Sequence, residues 1–353
     1  STPKHLWVMR FRTVVMVATL PDLLRLLVIP VFAWAAWQDI KTRRLSSRSW
    51  AGLTGLGIVL LIWESIQLFP FNTPSGQAFF IRVAMSLVLI GLAGFALGWF
   101  GLFGGADAKA MISISILLPV FPTYNIAGMM FPLSGTSIDV FSITVMTNAA
   151  LLAMIYPIGL AFSNIIRLRF DPIAMFLAIP MDIESLHKRY GWISETLDGT
   201  TVRALDLDAL RMYLRWRGLT IAGLRNSPEI ARDPSSINET YEPSDGRMNV
   251  DNDLNWEDGS MLENHSGDNK LENIDDPWGA EQFLNSIDGS AYNTSPEQLR
   301  EGLELLATTN RDTVWVSPGL PFVVAMFVGL LVAFTYGDLL FALLRWIGIF
   351  PIV

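Results

Sequence analysis

Apolar residues recur along the chain in six long runs, 20–38, 50–68, 79–99, 108–121, 140–162 and 320–347. Most approach the roughly 20 residues that cross a hydrocarbon layer about 30 Å thick, and the fourth is the shortest. Pro30 and Pro157 fall inside the first and fifth runs; each removes a backbone donor and is expected to kink its helix. Between the fifth and sixth runs the pattern breaks. Residues 176–179 read as a short strand, and "DLDALRMYLRW" at 206–216 sets leucines among charges at helical spacing. From 226 to 285 Asn, Ser, Asp, Glu and Pro dominate, a mixture that cannot bury enough surface to offset chain entropy, so this stretch is expected to be a disordered acidic loop. Ser295-Pro296-Glu297-Gln298 is a helix start leading into 299–307, and "TVWV" at 313–316 reads as a strand.

The pattern predicts an all-α polytopic membrane protein of about six transmembrane helices, with a small mixed α/β cytoplasmic insertion containing the disordered loop. The expected divisions are 1–163, a membrane domain with the first five spans; 164–225, a soluble region; 226–285, the acidic loop; 286–317, a helix and strand; and 318–353, the last span. Composition agrees: 51% of residues are hydrophobic and 16% charged. The acidic excess of the loop is larger than the net charge of −8, leaving the rest net basic, and the loop itself reads as a solvated spacer. No basic patch interleaved with aromatics suggests nucleic acid.

Lys41, Arg43, Arg44 and Arg48 follow the first run and Arg167 and Arg169 the fifth, whereas the loops 69–78 and 122–139 contain neither Lys nor Arg. Basic loops stay cytoplasmic, so the insertion is expected there and both termini outside. Lys4, Arg10 and Arg12 dissent, and the tail is expected to lie along the interface; it starts Ser1-Thr2-Pro3 without Met, as a processed or foreign segment would. Glycans at the sequons Asn238, Asn264 or Asn293 would invert this orientation.

With no cysteine there is no thiol nucleophile or thiolate metal site, and His5, His187 and His265 all lie outside the runs, so neither a zinc protease nor a serine–histidine protease can be assembled at membrane depth. No metal or cofactor is called for. What remains is carboxylate. Asp22, Glu64, Asp139 and Asp338 fall near outer ends and read as interfacial groups reaching water; Asp39 and Asp107 fall on the cytoplasmic side. Two carboxylates at one depth can share a proton, so that one takes a proton from water while the other donates to a peptide carbonyl. The alternative is two helix-end aspartates that never meet.

"GLFGGADAKAM" resembles the Gly-x-hydrophobic-Asp signature of type IV prepilin and preflagellin (prearchaellin) peptidases, with Gly104, Gly105, Ala106 and Asp107 in its four places and Lys109 following. "WQDIKTRR" resembles the same family's first aspartate, and residues 315–338 look like the last span of its archaeal members. The likeness covers the hydrophobic frame and leaves out the acidic loop. It implies an aspartyl membrane endopeptidase of the plasma membrane that trims short basic leaders from pilin-like and archaellin precursors at the cytoplasmic face. Asp39 and Asp107 would be the catalytic pair, with glycines at 104 and 105 permitting close backbone approach. Lacking cysteine, the chain has no four-cysteine zinc module of the bacterial kind, which points to the archaeal branch. The helix dipoles favour Asp107 as base and Asp39 as proton donor. Lys41, Arg43, Arg44 and Arg48 would repel a basic leader, which turns attention to the acidic loop, Glu184 and Glu195 for its recognition. Two rival readings are an ion- or proton-coupled carrier using the same aspartates and a structural membrane subunit.

Overall fold

The computed structural model describes residues 17–42, 45, 47–100, 103–136, 138–237, 240–243, 246, 276–287, 291, 294–319 and 322–349. The chain divides into two compact units, one of Ser1–Met154 with Pro321–Val353 and the other of Ile155–Leu320.

In the first unit Thr19 caps α1 (Leu20–Arg25) by accepting the Asp22 N–H, and α2 (Val28–Thr42) follows after a break. Pro30 explains the break. Lacking an N–H, it cannot donate to Leu26, and the chain tightens there into three-residue bonds such as Leu27 N–H to Leu24 O (3.1 Å) and Ile29 N–H to Leu26 O (3.0 Å). The expected kink is therefore a full interruption. α3 (Ser47–Leu68) returns antiparallel, and α4 (Pro74–Met85) continues through a π-helical turn, Ser86–Gly91, into α5 (Leu92–Trp99). Then come α6 (Gly105–Leu117), the hairpin β1 (Tyr124–Ile126) and β2 (Met129–Phe131), and α7 (Phe141–Ile166). α7 continues through Pro157 as one helix.

Among the described residues, four stretches are long and apolar enough to cross a membrane: Leu20–Thr42, Ser47–Leu68, Pro74–Trp99 and Phe141–Ile166. The fourth and sixth predicted spans take other forms. α6 has 13 residues, about 20 Å of helix, too short to cross alone. Its buried residues, Ala108, Ala110, Met111, Ile114 and Leu117 among them, cover all but the face that carries Lys109, Ile112 and Ile116. The last run is split at Tyr336–Asp338, Gly337 taking φ of +107°, a conformation open to glycine, into α14 (Phe322–Thr335) and α15 (Leu339–Trp346).

Small residues let the helices close on α6. A Cβ on Gly57 of α3 would lie 3.0 Å from the Leu117 backbone; one on Gly94 would meet Met111 at 2.8 Å, one on Gly98 would meet Ala108 at 2.7 Å, and one on Gly91 would meet the Ser115 hydroxyl at 2.8 Å. The π-helical turn begins at Ser86, whose hydroxyl reaches Ser115 O (2.6 Å) and Ser142 Oγ (2.7 Å), tying α6 to its neighbours in the unit's interior. At its C-terminal end α6 is held by a buried cation. Arg25, 2% exposed, donates to Leu117 O (3.1 Å), Asp22 (3.0 Å) and Glu64 (2.6 Å). Asp22 and Asp338 do not reach water as expected; both are buried. Asp22 is committed to Arg25 and Thr19, and Asp338 caps α15 while accepting the Thr144 hydroxyl at 2.8 Å.

The second unit has its own core. α8 (Ala174–Leu177) precedes β3 (Ile179–Asp182), so the strand expected at 176–179 starts later because the preceding turn is helical. β4 (Trp192–Thr196) and β5 (Gly199–Asp206) form a hairpin, followed by α9 (Leu207–Arg217), α10 (Ile221–Asn226), α11 (Pro228–Arg232), α12 (Ala280–Asn285), α13 (Pro296–Thr308) and β6 (Thr313–Ser317). The antiparallel sheet has order β3-β6-β4-β5. Ser295 and Gln298 close a reciprocal capping box on α13, and Gly302 lets that helix lie against Leu205 of β5. Both flanks of the supposed acidic loop are folded. Trp278 and Phe283 are buried against Tyr213 and Trp216, and Ala231 and Ile237 join the same core. These few large side chains bury far more area than the average composition implies. Residues 247–275 lie outside the described residues.

Removing the buried cation gives a test. Arg25→Met strands two carboxylates and a helix-end carbonyl and is expected to destabilise the protein by about 3–5 kcal/mol in denaturant unfolding. Adding Asp22→Asn and Glu64→Gln is expected to recover part of that loss.

Candidate active site

Asp39 occupies the last turn of α2 and is buried, while Asp107 occupies the first turn of α6 and is partly buried. Contacts at the two ends of these helices decide where each carboxylate lies. At one end Arg25, just before α2, touches Glu64 near the end of α3 and Leu117 at the end of α6. At the other, the Lys109 ammonium donates to Ser47 Oγ (2.6 Å) at the start of α3, five residues past the end of α2. Between these ends, Phe32 meets Trp50 edge-on with ring centroids 5.2 Å apart, and Thr54 Oγ1 lies 3.0 Å from Ser113 Oγ. α3 and α6 therefore run parallel, α2 runs against them, and the ends carrying Asp39 and Asp107 are the same end. α14 packs along α2 and touches α6, with Phe322 in its first turn 5.0 Å from Phe103.

Asp107 is the third residue of α6, where free backbone N–H groups and the helix dipole favour a negative charge. Its carboxylate curls back over the helix start. A Cβ on Gly104 would lie 3.1 Å from Asp107 Oδ2, whereas one on Gly105 would meet nothing within 4 Å. Gly104 thus lies against the Asp107 carboxylate, and Gly105 faces open space. Ala106 is helical and partly buried. Beside Asp39 the Thr42 hydroxyl returns to Gln38 O (3.0 Å), and Lys41 lies over the Trp37 ring at 4.1 Å. Arg43 and Arg44 lie outside the described residues.

Among the described residues, no three of His, Cys, Asp and Glu gather in a way that would hold a metal ion. Of the two glutamates proposed for leader recognition, Glu195 is buried, ion-paired with Arg311 and accepting the Trp315 N–H, while Glu184 is exposed. Sequence reasoning passed over Arg25 altogether. Its signal was the Asp22/Arg25 spacing, which puts opposite charges on one helix face inside an apolar run.

Residues 26–158 match the type IV leader peptidase family, a segment that contains both aspartates and the Gly104–Lys109 motif. Residues 251–339 match a second family, the archaeal peptidase A24 C-terminus of type II. Over these two segments the chain is similar to the type IV leader peptidases. Among its relatives, the preflagellin peptidase of Methanococcus voltae is 29% identical over 135 residues, 37% of this chain and 53% of the relative. That of Methanococcus maripaludis is 26% identical over 135 residues, 38% and 55% respectively. The chain thus spans about half the length of the curated relatives it matches. The archaeal match starts at 251, inside the acidic stretch that the resemblance was expected to leave out.

The two glycines give a contrast within one motif. Gly104→Ala pushes on the Asp107 carboxylate and is expected to lower any peptidase activity of the site by about 10-fold or more, since a small misplacement is costly at a reacting centre. Gly105→Ala, with open space around the new methyl, is expected to stay within about 2-fold of the parent by the same geometric argument.

Proposed function

We propose that this protein is a membrane-embedded aspartyl endopeptidase that removes short basic leaders from archaellin and type IV pilin-like precursors. The observation that carries this reading is the meeting of two features: one family-matched segment contains Asp39 and Asp107, and the helix contacts bring both to one end of the unit. In the proposed reaction one carboxylate removes a proton from water as the oxygen attacks the scissile carbonyl. The other, protonated, donates to the carbonyl oxygen; as the tetrahedral intermediate collapses it takes a proton back from a gem-diol hydroxyl, while the first carboxyl passes the proton gained from water to the leaving amine. The start of α6 favours a charged Asp107, so Asp107 is assigned as base and Asp39, at the C-terminal end of α2, as proton donor. The pair titrates as a unit, so these roles describe the resting state.

The site is assigned to the cytoplasmic face of the plasma membrane, from the basic residues 41–48 that follow α2. α6 and the α14–α15 pair serve as the fourth and sixth membrane elements, the short helix completed by its neighbours. The soluble piece, residues 164–317, is proposed to be cytoplasmic.

Membranes containing the parent, Asp39→Asn or Asp107→Asn, matched for protein level, test the assignment on a pilin or archaellin precursor with a basic leader. Either substitution is expected to reduce cleavage at least about 100-fold. Near-parental cleavage by either variant would rule out the two-carboxylate mechanism.

A further inference from the structure

α7 ends in a reversal that leaves apolar residues outside. Arg169 N–H returns to Asn164 O (2.9 Å) and Leu168 N–H to Ile165 O (2.9 Å), placing Leu168 in the left-handed region at φ +55°. Glycine is the usual residue in that position, and a leucine there carries strain. The side chain of buried Asn164 then donates to Met175 O and Ala178 O, both at 2.9 Å, and Asp171 Oδ1 accepts the Ile173 and Ala174 N–H groups. The clamp turns Ala174 and Ala178 inward and leaves the larger residues outside. Leu168 is 79% exposed, Phe170 67%, Ile173 55% and Phe176 44%. Arg167 and Arg169, also exposed, alternate with the first of them.

We propose that residues 167–176 form an interfacial anchor that sits in the headgroup–acyl boundary of the bilayer. The occupant follows from continuity, because the exposed apolar flank of α7 (Ile158, Phe162, Ile165, Ile166) runs directly into this surface. Charge completes it: Arg167 and Arg169 bury their stems and extend their guanidinium groups to anionic lipid phosphates. Burying four large side chains in acyl chains would also offset the strain at Leu168 and fix how the chain leaves the membrane. The inference rests on the membrane embedding of α7 proposed above.

Because the chain lacks cysteine, single cysteines at Phe170, Ile173 or Phe176 can carry a nitroxide label in bilayers containing anionic lipid. The readout is relative accessibility to oxygen and to a water-soluble nickel chelate. Ile158 on α7 serves as the membrane reference and Glu229, exposed in the second unit, as the water reference. Oxygen is expected to dominate at 170, 173 and 176. Labels at 170 and 173 that behave like Glu229, or are shielded from both reagents, would overturn the anchor while Ile158 still reports lipid. Nickel access at Ile158 would instead overturn the embedding of α7 and the anchor with it. Arg167→Gln with Arg169→Gln is expected to move the label at 173 toward water; an unchanged depth would remove the arginines from the proposal.

Discussion

A helix of 13 residues cannot cross a bilayer, yet α6 lies buried among helices that can, and both of its ends must be satisfied inside the protein. Arg25 meets that constraint at one end. It takes the Leu117 carbonyl, and because a lone buried cation is prohibitive, it brings Asp22 and Glu64 with it. Tyr124 adds a bond from its hydroxyl to the Asp22 carbonyl. The helix is thereby pinned along its axis, and four glycines set its distance from α3 and from the Ser86–Trp99 arm.

Pinning one end fixes the other. Asp107 sits one helix length from Arg25, at the height of the α2–α3 turn rather than at a depth chosen by the lipid. Gly104 leaves room for its carboxylate to fold back over the start of the helix, the end of a helix dipole that favours a negative charge. A protease that shares a proton between two carboxylates needs both groups held to fractions of an ångström, and rigid helix ends supply that better than loops do.

How much of this was legible in the sequence depended on the scale of the signal. Long apolar runs and the Ser295–Gln298 cap were plain because each is a local pattern with a local cause. The motif around Asp107 was legible for the same reason. The fourth run was already the shortest, but that protein encloses α6 was not legible, because an apolar run reports burial without saying whether lipid or protein provides it. Trp278 and Phe283 were lost in the average of an acidic stretch, although two aromatics suffice to order its end. Asp22, three residues away, was the one local sign of Arg25; its other partners lie 39 and 92 residues away, and no spacing rule reaches across that separation.

The central claim is that Asp39 and Asp107 approach each other in the membrane-embedded protein. A cysteine-free chain allows it to be measured directly, by placing Asp39→Cys with Asp107→Cys and treating native membranes with a short thiol-specific cross-linker. Thr54→Cys with Ser113→Cys, whose parent hydroxyls are 3.0 Å apart, is the positive control. The account predicts that fragments containing positions 39 and 107 stay joined after trypsin. Linkage of the control pair with no linkage between 39 and 107 would contradict it.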